Sequence, residues 1–325
     1  MSRLFIPATS AILTIAAVVA VTQTGSTPKA VKYVVPKTPD GQPDIQGIWS
    51  NAVLTPMERP ADLKDKAFLT EPEVAVYEKR VIENNNKDRR DGPIVEDVGR
   101  AYNDFWWDRG THIVKTRRTS LVTDPPDGRI PPTLPEAQKR AADRVAARRQ
   151  HPADGPEDRP LQERCIMLNS AGPPMVPSAY NNNYQVVQAP GYVTILNEMI
   201  HDVRTIPLDG RPHLPPQARQ YMGDSRGRWE GNTLVVDTTN FTGLTAFRGS
   251  SDALHVTERF TRTDAETLLY EFTVEDPATW SKPWSAAIPS VRVSGPLYEY
   301  ACHEGNAGML GILTGARADD AKGSK

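Results

Sequence analysis

Hydrophobic and polar positions alternate with a period of two through most of the second half of the chain, and with a helical period in short stretches of the first half. The clearest alternation lies between Tyr180 and Val203, YNNNYQVVQAPGYVTILNEMIHDV, which predicts two strands joined at Pro190-Gly191. Val193, Ile195, Asn197, Met199, His201 and Val203 then share one face, apolar apart from Asn197 and His201. An amide and an imidazole at the end of an apolar row suit a ligand pocket in a β-barrel; a satisfied structural histidine is the competing reading. In the strand around Leu254–Phe260, the set Leu254, Val256, Glu258 and Phe260 faces inward, opposite His255, Thr257 and Arg259. Leu268, Tyr270, Phe272 and Val274 are inward in the next. For 297–303 the choice stays open: Tyr298, Tyr300 and Cys302 face in, or Glu299, Ala301 and His303 do.

Eight strands are predicted after Cys165: 184–188, 192–202, 204–208, 233–239, 254–261, 267–275, 291–293 and 297–302. Short strands with local connections and no βαβ alternation predict a mainly β fold, an antiparallel β-barrel of the lipocalin or calycin meander type, not a dinucleotide fold. The first half predicts a helical and loop covering layer. Gly47-Ile48-Trp49 enters a short strand, and Thr70 with Glu73 caps a helix through about Glu83, with Val74, Tyr77 and Val81 on one face. Ser120–Thr123 reads as a strand. Thr133 and Glu136 form a second capping box around Pro135, opening a basic, solvated helix through Gln150. The expected segments are 1–24 signal peptide, 25–43 linker, 44–164 strand plus covering layer, 165–317 barrel and 318–325 disordered tail.

Charge narrows the partners. Lys plus Arg number 38 against 40 Asp plus Glu, a net charge of −2, so no polyanion-binding surface and no nucleic-acid partner is expected. Arg3 followed by the small, apolar run Ala11–Val21 reads as a signal peptide, with an uncleaved anchor as the alternative. A periplasmic or secreted protein without stable membrane insertion follows. Cys165 and Cys302 are the only cysteines, and in an oxidising compartment they form a disulfide worth roughly 4–5 kcal/mol at most.

If Cys302 bonds Cys165 it lies outside or at a rim, which favours Glu299 and His303 inside, and alternation then collects His201, Asn197, Glu258, Glu299 and His303 in the barrel interior. Buried imidazoles and carboxylates need mutual pairing, a metal or pocket water, and they supply the base and acid of proton-transfer chemistry. His201, Glu258, Glu299 and His303 are therefore the candidate catalytic residues; the competing reading is a structural hydrogen-bonded network. Asn197, Tyr270 and Phe272 are candidate substrate contacts, and Trp106 and Trp107 in AYNDFWWDRG a candidate aromatic wall or core anchor. No cofactor is expected, since the four catalytic candidates have no metal-ligand spacing; a divalent metal between them is the minority reading.

The long motifs DPPDGRIPP, YNNNYQVVQ, EMIHDVR, GDSRGRWEGNTLVVDTTNF and YEYACHEGN resemble a family of functionally unassigned exported bacterial proteins. The resemblance covers about Gly41 to Arg317 and implies export and a single architectural unit, but it assigns no catalytic residue. Gly47 and Trp49, with the strand count, are similar to lipocalin-type barrels, from which the long stretch before the first extended strand departs. The expected function is an extracytoplasmic isomerase, lyase or hydrolase acting on a small, partly apolar substrate; the alternative is a carrier of a hydrophobic or aromatic molecule.

Overall fold

Side chains alternate between buried and exposed along most strands of a single antiparallel sheet: β1 (Gly47–Ser50), β2 (Val122–Asp124), β3 (Asn183–Ala189), β4 (Tyr192–Asn197), β5 (Val203–Pro207), β6 (Asp224–Glu230), β7 (Thr233–Thr239), β8 (His255–Arg262), β9 (Thr267–Glu275) and β10 (Trp284–Val293). The structure is a computed structural model that describes residues 33–323, apart from 87, 89–92, 94, 96–103, 169 and 246. The expected signal peptide, 1–24, and the start of the linker lie outside the described residues. The chain divides into two units, Met1–Val34 and Val35–Lys325, and every element described here belongs to the second.

The strands lie in the order β5-β4-β3-β1-β10-β9-β8-β7-β6, with β2 pairing β10. β1 joins two meanders, pairing β3 through Gly47↔Val186 to Ser50↔Asn183 and β10 through Ile48↔Val293 to Ser50↔Val291. Its Trp49 is buried, donates Nε1–H to the Ile45 carbonyl (3.1 Å) and has the guanidinium carbons of Arg262 and Arg292 5.8 and 5.5 Å from its ring. No backbone ladder joins the outer strands β5 and β6 among the described residues, so the sheet is not closed into a barrel. Side chains approach across that gap: a Cβ on Gly227 of β6 would lie 2.6 Å from Leu208 and 2.8 Å from Ile206. Glycine is therefore required there by the close approach.

The inward faces form one apolar core. Phe260, Tyr270, Phe272 and Trp284 succeed one another with ring centroids 4.9, 5.6 and 5.7 Å apart. Burial of each such side chain contributes about 1.5–3 kcal/mol. Helix α1 (Glu71–Asn85) opens on the expected Thr70–Glu73 capping box and lays Tyr77 against Leu54, Leu69 and Ile113. Helix α2 (Pro135–Gln150) buries only Ala137 and is tied down by Arg140, which donates to the Ala278 carbonyl and Thr279 Oγ1.

Several boundaries differ from expectation. β10 starts seven residues earlier, because Pro289 sits where the strand pairs only β9, between its contacts with β2 and β1, and costs no second ladder bond there. Residues 224–230 form a full strand, turning tightly into β7 at Gly231, whose φ is +60°. Leu134, not Thr133, caps α2. No strand forms at 297–302, and the expected disordered tail is helical through Gly323 in α3 (Ala307–Gly323).

Candidate functional site

The expected row from Val193 to Val203 breaks at Asn197. The Asn197 N–H donates to the Asp202 carbonyl (2.8 Å), closing a turn in which Ile200 and His201 take left-handed φ values of 56° and 44°. His201 is consequently exposed, its Nδ1 3.0 Å from the Tyr300 carbonyl oxygen and its ring 5.7 Å from that of His303. His303 and Glu299 are exposed too, in the irregular stretch that replaces the last expected strand. His201 and His303 thus come together, while among the described residues no hydrogen bond or ion pair joins either to Glu258 or Glu299. The Cys165–Cys302 disulfide lies in the same region and closes a separation of 137 residues. Beside His201, burial pushes the Asp202 carboxyl up to about 7, against a smaller opposing effect of the imidazole, and Asp202 Oδ2 is buried with no hydrogen-bond partner.

Glu258 does face inward, as alternation requires, and is 0% exposed. Its partner is Arg204 of β5, whose Nη1 and Nη2 donate to both carboxylate oxygens, the second at 2.9 Å. Tyr270 donates its hydroxyl to Glu258 Oε1 (2.8 Å) and accepts the Met175 N–H (2.9 Å). Burial alone would lower the Arg204 guanidinium, but the Glu258 charge and hydrogen bonds outweigh it and hold Arg204 above its ordinary value. Glu258 and Tyr270 are saturated core groups in this arrangement. Phe272 is packed in the same core and Asn197 is buried with Nδ2 unpartnered. Sequence reasoning missed Arg204, although Arg204-x-Ile206-x-Leu208 places it on the apolar side of its strand.

A second missed cluster crosses the outer face of β6–β9. Glu275 Oε2 lies 2.9 Å from His255 Nδ1, His255 Nε2 2.7 Å from Asp237 Oδ2, Asp237 Oδ1 2.8 Å from His213 Nε2, and His213 Nδ1 3.0 Å from Asp224 Oδ2. Asp224 also accepts from Arg226 (2.6 Å). The hydrogen bond from His255 holds Asp237 below its usual value against burial, and the same bond, opposed by burial, raises His255. All four ring nitrogens have carboxylate partners, so neither imidazole offers a free nitrogen to a substrate. Among the described residues no group of three or more His, Cys, Asp or Glu is arranged to hold a metal ion.

A space able to take a small molecule lies elsewhere. A cavity of about 340 Å³ sits over the core between the 53–57 segment after β1, the end of α1 at Asn85, Arg109, Leu121, the 176–179 loop before β3, and Arg248 between β7 and β8. Val53, Met57 and Val176 in its wall pack directly on the main core. Among the described residues lining it there is no histidine and no carboxylate, while two guanidiniums enter it. Of the aromatic candidates, Trp106 is 60% exposed, whereas Trp107 is half-buried with the Arg109 guanidinium 4.1 Å over its ring and Tyr180 edge-on at 6.2 Å. Strand alternation could not reach Arg109 or Arg248, since both lie outside the strands. Comparison of the chain with protein-family models, with curated proteins and with solved structures returned no match.

Proposed function

We propose that the protein is an extracytoplasmic binding protein for a small, partly apolar molecule, held in the cavity between the covering segments and the sheet. The observation that carries this reading is the cavity itself: about 340 Å³, with an apolar wall continuous with the core and no acid–base pair among its described lining residues. That size falls at the lower end for small-molecule sites, which range over about 300–1,000 Å³. In this reading the curled sheet acts as a lipocalin-like barrel left open between β5 and β6, and the Cys165–Cys302 disulfide supports an oxidising compartment. The test is ligand-induced stabilisation. A binding molecule should raise Tm in the native protein and fail to do so in Ala179→Trp, which fills the cavity; equal shifts in both would refute the site.

The acid–base enzyme remains a second reading, favoured by the Asp202 carboxyl at about 7 beside His201 and His303, a range suited to proton transfer at neutral pH. It requires turnover of some substrate to fall about 10²-fold in His201→Asn at unchanged stability. A fall in stability with turnover per folded molecule intact would end it.

A further inference from the structure

We propose that the cavity is a carboxylate site, in which Arg109 and Arg248 hold the charged end of an otherwise apolar small molecule. This rests on the reading of the cavity as a ligand site and adds the chemistry of the ligand. Most other arginines near the core are committed: Arg59 donates to Thr119 and to the Lys64 and Pro126 carbonyls, and Arg204 is locked on Glu258. The two cavity arginines are not. Arg109 Nε is buried without a hydrogen-bond partner, and Nη1 makes one long bond, 3.3 Å, to Asn85 Oδ1. Trp107 covers one face of its guanidinium and leaves the donor edge as its remaining binding surface.

Arg248 forms no hydrogen bond among the described residues. Its one ion pair is a long one, Nη1 to Glu58 Oε1 at 3.9 Å, while Glu58 Oε2 accepts the Ile130 N–H. The Arg248 backbone is also held in the left-handed region, φ 48°, where a residue with a side chain is rarely found. Backbone strain of that kind persists where the surroundings enforce it, and here it carries an uncommitted cation to the cavity.

The lining fixes the rest of the ligand. Val53, Leu54, Met57, Leu121 and Val176 give the lining its apolar part, beside Thr55, Asn85 and Ser178, and the body of the molecule lies on that apolar part. The volume matches the share of roughly ten water molecules, which admits an aromatic or short-chain acid and not a long lipid. One carboxylate accepts from both guanidiniums through its two oxygens, in the fork geometry that arginine favours. A highly hydrated phosphate has no use for the apolar wall.

Isothermal titration of the folded, disulfide-bonded protein tests this with benzoate, 4-phenylbutyrate and octanoate, each against its neutral primary amide, at low salt. Each carboxylate should bind at least tenfold more tightly than its amide. Arg248→Gln and Arg109→Gln should each weaken carboxylate binding by about 10–100-fold, the range for a charge-assisted hydrogen bond, and leave amide binding within about twofold. If Arg109→Gln fails to fold for want of its Trp107 stack, Arg248→Gln carries the test, since that side chain is 39% exposed and makes no hydrogen bond. Equal binding of acids and amides, or a preference that survives both substitutions, overturns the carboxylate assignment and leaves the cavity as a neutral ligand site. Absence of binding by every probe, or binding that persists in Ala179→Trp, overturns the cavity reading as well.

Discussion

Replacing Arg204 with methionine separates a structural Glu258 from a chemical one. Methionine keeps most of the side-chain volume but removes both donors to a carboxylate that has no solvent exposure. Tyr270 then supplies the one remaining hydrogen bond to that carboxylate. Stranding a buried charge in this way costs about 3–5 kcal/mol. The folded unit has about 290 residues, so its unfolding entropy is about 0.6 kcal/mol per degree, and the expected fall in Tm is about 5–8 °C. Urea unfolding followed by tryptophan fluorescence reads this directly, because Trp49 and Trp284 are fully buried. In the double variant R204M/E258L both charges are gone, and its loss should be smaller than the sum of the single losses by about 2 kcal/mol or more. A loss under about 1 kcal/mol in Arg204→Met, or strict additivity, would refute the buried-pair account.

Three further outcomes follow from the geometry. His255, raised by its bond to Asp237, stabilises fully below its ordinary value of 6.5 and loses that contribution as pH rises through its higher folded value. Asp237, lowered, stabilises above 3.8 and loses that contribution only as pH falls through its folded value, so the stability gap between native protein and His255→Gln should be widest between about pH 4 and 6.5. With both groups about a third exposed the gap should be on the order of 1 kcal/mol, and a gap that widens from pH 6 to pH 9 in urea titrations would contradict it. Asp202, raised from 3.8 to about 7, contributes nothing below 3.8 and an unfavourable amount that grows as pH climbs from there and is complete above about 7; Asp202→Asn should therefore be more stable than the native protein at pH 8.5, by on the order of 1–2 kcal/mol after discounting exposure, and show no advantage at pH 3. Reduction of Cys165–Cys302 should cost up to roughly 5 kcal/mol for its 137-residue separation, read as a shift in urea midpoint, and an unchanged midpoint would show that the bond constrains little.

What could be read from the chain divides by whether strand alternation reached it. Glu258, Tyr270 and Phe272 face inward because each sits in an unbroken apolar row, and side-chain alternation leaves no other choice. His201 was misplaced by the same rule, because two left-handed residues ended the strand before the row reached it, and no glycine at Ile200 or His201 announced the turn. The start of β10 was placed too late: proline is uncommon inside a strand, yet the missing donor of Pro289 falls in the gap between two partner strands. Loop residues are beyond the rule altogether. Arg109 follows a tryptophan pair and Arg248 precedes a glycine, and nothing in either context tells that they meet at one cavity, since the meeting depends on how 53–57, 176–179 and the β7–β8 connection settle over the core. Of the residues that alternation placed inward, Glu258 and Tyr270 have their hydrogen bonds made within the core, with Arg204 the partner of Glu258. Arg109 and Arg248 join unspent hydrogen-bonding capacity to a place in the cavity wall, so a ligand can still use them, and for them register carried no information.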